Sequence, residues 1–563
     1  MTPSNLATDG VGAQVHPWHL VARLVRGYRW LASRETLSCI VVLAFTLGLR
    51  AALLPWLSVP QPAVHDEFSY LLAADTYVHG RLTNPPHPFW QHFETFHVLM
   101  QPTYASKYQP LQGLVLAFGQ KFFGIPWVGV YLSSGLMCAA LCWMLQGWIA
   151  PSWALLGALI FAVRVGVLSY WMNSYFGGAV AGIGGALVLG AMVRIWRRGQ
   201  FGHSTTWALG LAILALSRPY DAAGLGCASA AILVWSFRKS HTPLRIVGLR
   251  WALPALIVLT LCAGAIAYND YRVTGSALTL PYQAHDRQYA MVSMFMMMPL
   301  RPEPIYRHAV MRQFWAGWNV EQREFARAFP LTLLLRNYYF LGKFLFPFWV
   351  LILPIFLWPY DQTTVEERAA AFLLAVFALM ILPLIGVQSH YAAAFAGVFY
   401  LRFLQSLVRF RLWRPWNRPV GRVLGGLLVV LLAGGLCNDM IGLIRYGEVN
   451  FRFTSRRDTD SQESLQRGFQ FESDRRSILQ ALKQQPGPHL VLLRYAPSHD
   501  HHQEWVFNAA DIDASPIVWA REMGPAQDRP FLEYFRHRKV WLLEPDQSPP
   551  KLTPYPRQEQ AQP

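Results

Sequence analysis

Charge is what this 563-residue chain has least of: 14% of it is Asp, Glu, Lys or Arg, against 53% apolar residues. A soluble domain carries roughly 25% charged residues, so the deficit excludes both an ordinary water-soluble globule and a charged disordered chain. Acids are scarcer than bases, 32 against 49, which leaves a formal charge of +17. That excess does not mark a nucleic-acid binder, because the basic residues fall in short runs between apolar segments, as cytoplasmic loops facing anionic lipid do. Cysteine is also rare. Cys39, Cys138, Cys142, Cys227, Cys262 and Cys437 all lie in or beside apolar segments, where they behave as small hydrophobes rather than as a disulfide or zinc framework. The first apolar run lacks a small-residue cleavage site and reads as a retained anchor. Solenoid repeats and the inverted halves of many transporters are missing too.

What is present is a succession of apolar runs. A spanning helix needs about 20 apolar residues, and the runs read as about eleven spans. They are Leu37–Leu57, Trp127–Gln146, Trp153–Met172, Tyr175–Ile195, Thr205–Leu216, Ala222–Phe237, Trp251–Tyr268, Tyr338–Trp358, Ala369–Val387, Tyr391–Val408 and Val423–Ile444. Basic residues at Arg23, Arg26 and Arg29 put residues 1–36 in the cytoplasm as an N-terminal tail. Arg194, Arg197 and Arg198, the pair Arg238-Lys239, and the cluster from Arg409 to Arg422 fix three further loops inside. Parity agrees with these loops only if Leu111–Gly124 lies along the surface instead of crossing. The expected fold is thus an all-α polytopic membrane domain, residues 37–444, with external loops at 58–126 and 269–336. From residue 445 to 563 the chain turns polar and proline-dotted. Helix-like Arg475–Gln485 before strand-like His489–Leu493, then Phe531–His537 before Val540–Leu543, predict a small extracytoplasmic α/β domain.

The same parity brings several polar groups to the outer face: Asp66-Glu67, Lys107, Asn173-Ser174, the Pro-broken turn Ser217–Asp221, Gln388–Tyr391, and Tyr282–Asp286 followed by Arg287. Acid, Lys, Arg and His at one depth suit a phosphate-bearing lipid. Each residue also has a plainer role. Asp66 and Glu67 can open a surface helix, Asp66–Tyr77, at the favourable end of its dipole; Lys107 and Arg218 can snorkel; His390 can cap its helix. Arg164, inside an apolar run, needs a partner. His87, His92 and His97 recur every five residues, which does not put them on one helical face. His499, His501, His502 and Glu504 read as a solvated loop, and no metal site is expected.

These residues together resemble the bacterial C-type (GT-C) glycosyltransferases, related to protein O-mannosyltransferases, lipid A aminoarabinose transferases and rhizobial lipopolysaccharide core transferases. Members carry an acid, often Asp-Glu, just after the first span, matched by Asp66-Glu67, and a Lys followed by prolines, matched by Lys107-Tyr108-Gln109-Pro110 with Gln109 in place of one Pro. Asn173 stands where relatives often place a second acid, so a two-carboxylate metal site does not carry over; Arg218 stands where they often have Lys. Gln388-Ser389-His390-Tyr391 is similar to their polar-aromatic entry to a late span. The likeness covers roughly Leu37 to Val408 and leaves the C-terminal domain aside.

The resemblance implies sugar transfer from a polyprenyl-phosphate donor to an envelope glycan, lipid or protein at the outer face of the bacterial inner membrane, with no required cofactor and no nucleic-acid partner. A divalent cation would be compatible with such chemistry, though the sequence does not indicate one. Lys107, Arg218 and His390 are then the donor-phosphate ligands, and Asp66, with Glu67 second, the base. Tyr70, Tyr108, Asn173 and Tyr220 are expected substrate contacts, as are Tyr391, His285 and Asp286. The rival readings are a transporter or flippase of lipid-linked sugar and a non-enzymatic membrane scaffold. Transport is disfavoured because most ionisable groups gather at one face and not at the bilayer midplane.

Overall fold

A computed structural model describes residues 17–357, 364–446 and 461–556. The remainder of the expected N-terminal tail, the junction before the C-terminal domain, its last residues, and Trp358 at the end of one expected span lie outside the described residues. The chain is mostly helical. Among the described residues seven helices are long and apolar enough to cross a membrane: Glu35–Ala52, Trp127–Trp148, Ala179–Arg198, Pro219–Lys239, Leu244–Thr274, Ser389–Phe410 and Val420–Gly442. Each overlaps one of the expected runs, as befits a multi-pass membrane protein.

The other four expected spans are helical but shorter or broken, for reasons visible in the residues. Ser204–Ala215 has 12 residues and rises about 18 Å; Pro219 then takes the first turn of the returning helix, where its missing N–H is harmless. Ala369–Val387 is the 17-residue helix Val365–Ile381. Tyr338–Trp358 is not one helix. Pro347 forces Phe346 into an extended conformation (φ −135°, ψ 132°), ending Pro330–Leu345 before Trp349–Phe356 begins. Trp153–Met172 is Pro151–Phe161 continued by a π-helical turn, Ala162–Val167. That turn holds Arg164, whose guanidinium donates to Asp439 Oδ2 at 2.8 Å, to the Phe344 carbonyl at 3.0 Å and to the Lys343 carbonyl. The intramembrane charge is therefore a structural pair that ties three helices together.

Between the first two long helices, the chain builds a small scaffold: helix His65–Val78, the hairpin of β1 (Val98–Leu99) and β2 (Ala105–Ser106), and helix Pro110–Phe123. The last, expected to lie along the surface, has 14 residues. Its Leu111 N–H donates to the Leu216 carbonyl at 3.1 Å, which docks the segment after Lys107 onto the turn before Arg218.

The C-terminal part forms a four-stranded sheet of β3 (His489–Leu493), β4 (Ile517–Arg521), β5 (Lys539–Glu544) and β6 (Lys551–Pro554) in the order β4-β3-β5-β6. β3 runs parallel to β4 and β5, and β6 is antiparallel. β3 reads as an unbroken apolar run because both its faces are covered. Leu490 and Leu492 pack toward Leu72, Phe93, Val98, Met100 and Tyr104 of the first loop. Val491 and Leu493 face Phe471, Ile478 and Leu482 of helix Ser461–Lys483, together with Phe68. The sheet thus rests directly on the loop that carries Asp66.

Candidate functional site

Helix His65–Val78 opens with its two acids in opposite roles. Glu67, 3% exposed, accepts the Ala63 and Val64 N–H groups on Oε2 at 2.7 and 3.1 Å and the Tyr175 N–H on Oε1 at 3.0 Å. Burial pushes its carboxyl up to about 7, with the three N–H donors pulling the other way. Glu67 caps its own helix and pins the turn after Ser174 to it. Asp66, one residue earlier and so about 100° around the helix, keeps a side chain 36% exposed. Its Oδ1 accepts a short hydrogen bond from the Tyr108 hydroxyl, and its Oδ2 lies 3.9 Å from His97 Nε2.

Lys107 follows β2 and donates its backbone N–H to the His97 carbonyl at 3.2 Å. Its side chain is buried among aromatic faces, with Nζ 4.5 Å from the Tyr282 ring, 5.3 Å from Tyr108 and 5.5 Å from Trp315. Burial lowers its pKa, opposed by the charges of Asp286 and Asp66. Cation–π contact holds an ammonium without neutralising it, and no carboxylate among the described residues forms an ion pair with Nζ. Tyr70 stacks on Tyr108 at 4.4 Å. Arg218 lies over the Tyr391 ring at 4.5 Å and donates from Nε to Asp221 at 2.7 Å. Burial raises the Tyr282 hydroxyl well above its usual range, with Asp286, Tyr391 and Asp66 adding and Arg218 opposing, so residues from four segments act on one another there.

Asp66, Tyr70, Lys107, Tyr108, Arg218 and Tyr391 are accordingly brought together, with Asp286 and His285 beside Lys107. His285 is fully buried, neither ring nitrogen makes a hydrogen bond, and burial drops its pKa to about 4. His390 is held by Tyr170, whose hydroxyl contacts Nδ1 at 2.8 Å and accepts the His390 N–H at 2.9 Å. Two expected contacts turn into the scaffold. Asn173 accepts from Arg50 Nε at 2.9 Å and donates to the Val167 and Ser169 carbonyls, both at 2.8 Å; Tyr220 donates to the Met380 carbonyl at 2.7 Å. Glu67 and Asn173 also line a small cleft with Gln61, Tyr170, Ser174 and Glu472.

Sequence reasoning weighed His97 only as a metal ligand, and missed Trp315. His97 adopts a positive φ of 62°, uncommon for a residue with a side chain, and accepts from Ser69 Oγ at 2.7 Å as well as from Lys107. Neither residue carries a local signal, because both reach the site only through the long-range packing of the two external loops.

No protein-family model and no curated protein matches the sequence. Among solved structures, ArnT from Cupriavidus metallidurans bound to undecaprenyl phosphate is similar over 90% of this chain and 92% of its own, at 11% identity and a TM-score of 0.48. The oligosaccharyltransferase of Archaeoglobus fulgidus in the apo form is similar over 82% of this chain at 10% identity and a TM-score of 0.44, and this chain spans 62% of its length. The same organism's AglB, in complex with an inhibitory peptide and a dolichol-phosphate, is similar over 92% of this chain and 70% of its own, at 10% identity and a TM-score of 0.42. These likenesses concern the course of the chain; the site stands on its own side chains.

Proposed function

We propose that this chain is a glycosyltransferase that moves a sugar from a polyprenyl-phosphate donor to a hydroxyl of an envelope glycan, lipid or protein, at the outer face of the bacterial inner membrane. The observation that carries this reading is the pairing of an accessible carboxylate, Asp66, with a buried ammonium, Lys107, through one residue: Tyr108 donates to Asp66 and lies under the Lys107 cation. A polyprenyl phosphate is already a weakly basic leaving group, so its departure needs countercharge and not an acid. Lys107 supplies that charge, and Arg218 supplies the planar fork that suits phosphate oxygens.

The reaction is a single displacement. The acceptor oxygen forms a bond to the anomeric carbon as the bond from that carbon to the phosphate oxygen breaks; the electron pair stays on the phosphate, facing Lys107, and the acceptor proton passes to Asp66. Attack and departure on opposite sides of the carbon invert its configuration. Tyr70 and Tyr391 provide aromatic surface for the sugar. Glu67 and Asn173 act at one remove, holding the helix and turn in register, and no metal or organic cofactor is required.

The test uses purified protein and a labelled polyprenyl-phosphate sugar. Transfer to envelope acceptors that Asp66→Asn abolishes, with donor binding retained, supports the enzyme. Movement of the labelled lipid across a vesicle membrane without transfer establishes a flippase instead. Neither activity with intact donor binding overturns both and leaves a scaffold.

A further inference from the structure

Far from this site in sequence, the first helix, Pro17–Ala32, has 16 residues, too few and too charged to cross a bilayer. Its residues separate by side. Val21, Leu24, Val25 and Tyr28 follow the i, i+3, i+4, i+7 spacing of one apolar stripe, while Arg23, Arg26 and His19 lie on the opposite side and Arg29 at the border. Residues 17–34 hold four arginines and no acid. This is the pattern of a helix that lies in a membrane interface.

The fold treats the two ends of this helix differently. Its last turn is fixed: the Tyr28 hydroxyl donates to the Ser152 carbonyl at the start of helix Pro151–Phe161, the Leu31 carbonyl accepts from Ser38 Oγ at 2.8 Å, and Ala32 is buried. Ser38 belongs to the long apolar helix Glu35–Ala52, which begins after only Ser33 and Arg34, the latter bent out of helix (φ −100°, ψ 90°). Gln146, near the end of Trp127–Trp148, donates to the Glu35 carbonyl at 3.2 Å. Ends of three membrane segments therefore meet at one level, and the last turn of Pro17–Ala32 is held there. The part before it is bare. Residues 21–27 are all exposed among the described residues, Leu24 at 64%.

We propose that Pro17–Ala32 docks on the surface of an anionic bilayer and lies in its plane, with Val21, Leu24 and Val25 among the acyl chains and Arg23, Arg26 and Arg29 at the level of the phosphates. Two observations choose this occupant. The helix leaves the membrane domain where its spans enter lipid, so the bilayer surface is continuous with the face already covered. Arginines with no acid beside them complement anionic headgroups, and their charge is what a neutral surface would leave unused. Trp30, with the Arg34 guanidinium 5.6 Å from its ring, adds the amphipathic side chain common at that depth. The contact stands independently of the reaction proposed for Asp66.

Full-length protein with the exposed Cys227 and Cys437 replaced, and Leu24→Cys carrying an environment-sensitive fluorophore, is placed in nanodiscs of phosphatidylcholine alone or with phosphatidylglycerol added. In the anionic discs the emission should shift to the blue and iodide quenching should fall at least about threefold, while a label at Ala22→Cys, off the stripe, stays open to iodide. High salt, which screens the headgroups, should reverse the change, and so should Arg23→Glu combined with Arg26→Glu. Both arginines are exposed, so the double variant should fold, with an unchanged Tm as the check. Equal quenching in neutral and anionic discs, as a stripe left in water or covered by the chain itself would give, overturns the assignment. Shelter that survives the charge reversal overturns it as well. The readout involves no turnover, so its failure and that of the proposed reaction are separate results.

Discussion

The Tyr108 hydroxyl donates a short hydrogen bond to Asp66 Oδ1, across 42 residues and onto a helix that Glu67 holds in place. The carboxylate is therefore oriented before any acceptor arrives, with Oδ2 left 3.9 Å from His97 Nε2. Hydrogen bonds to charged groups contribute about 1.5–3 kcal/mol. Tyr108→Phe should accordingly lower kcat/KM by roughly 10- to 100-fold, and Asp66→Asn should remove transfer, a loss of 10²-fold or more for a general base. Equal kcat/KM for Tyr108→Phe and the unmodified protein, measured with a labelled donor, would show that Asp66 needs no such orientation.

Lys107 gives a pH signature. Burial among Tyr282, Tyr108 and Trp315 lowers its pKa, so it sheds its proton at a lower pH than an exposed lysine. The protonated form is the one that faces the leaving phosphate. Activity should therefore fall on the alkaline side with an apparent pKa below 10.5 in kcat/KM, the parameter that reports the free enzyme. Lys107→Arg should remove this limb, because a guanidinium does not titrate there. Lys107→Met should cost roughly 10²-fold in kcat. An alkaline limb that survives in Lys107→Arg belongs to another group.

Much of this was legible in the residues because membrane physics is one-dimensional. Length and hydropathy placed seven long helices, and the apolar run Leu111–Gly124 was legible as a helix of about four turns, observed as Pro110–Phe123. What sequence could not supply was contact across the chain. Asn173 and Glu67 read as site residues by position, yet the partners that engage them, Arg50, Tyr175 and the turn carbonyls, are set by packing. β4 and β6 escaped notice because their short stretches lack a distinct period. The Pro347 break was local and readable; the apolar run on both sides masked it.

Glu67 ties stability to pH. Its carboxyl titrates near 7 in the folded protein against 4.5 when free, mainly through burial. A raised pKa means that the folded state binds the proton more tightly, so this contribution is complete below about 4.5 and disappears as pH climbs through about 7. The full difference is on the order of 3 kcal/mol. Tm in detergent should drop between pH 5 and 8, and Glu67→Gln should flatten that slope while lowering Tm at acidic pH, since an amide oxygen cannot accept all three N–H donors. A slope unchanged by the substitution assigns the pH dependence elsewhere.

Sidedness is the last prediction, and the packing of the sheet makes it easy to read. The Ala510 N–H donates to Asp75 Oδ2 at 2.8 Å and the Tyr104 hydroxyl to the Asn508 carbonyl at 3.0 Å, so the C-terminal sheet and the Asp66 loop share one face. An exposed position on the sheet domain therefore reports for the buried site. Ser498, in its loop, and Ser240, beside Arg238-Lys239, are both exposed. In a background with the exposed Cys227 and Cys437 replaced, Ser498→Cys should react with a membrane-impermeant maleimide in cells whose outer layers have been opened. Ser240→Cys should react only after the inner membrane is permeabilised, because basic loops stay inside. The reverse pattern would put Asp66 and Lys107 on the cytoplasmic side, where a donor presented outside the inner membrane never meets them.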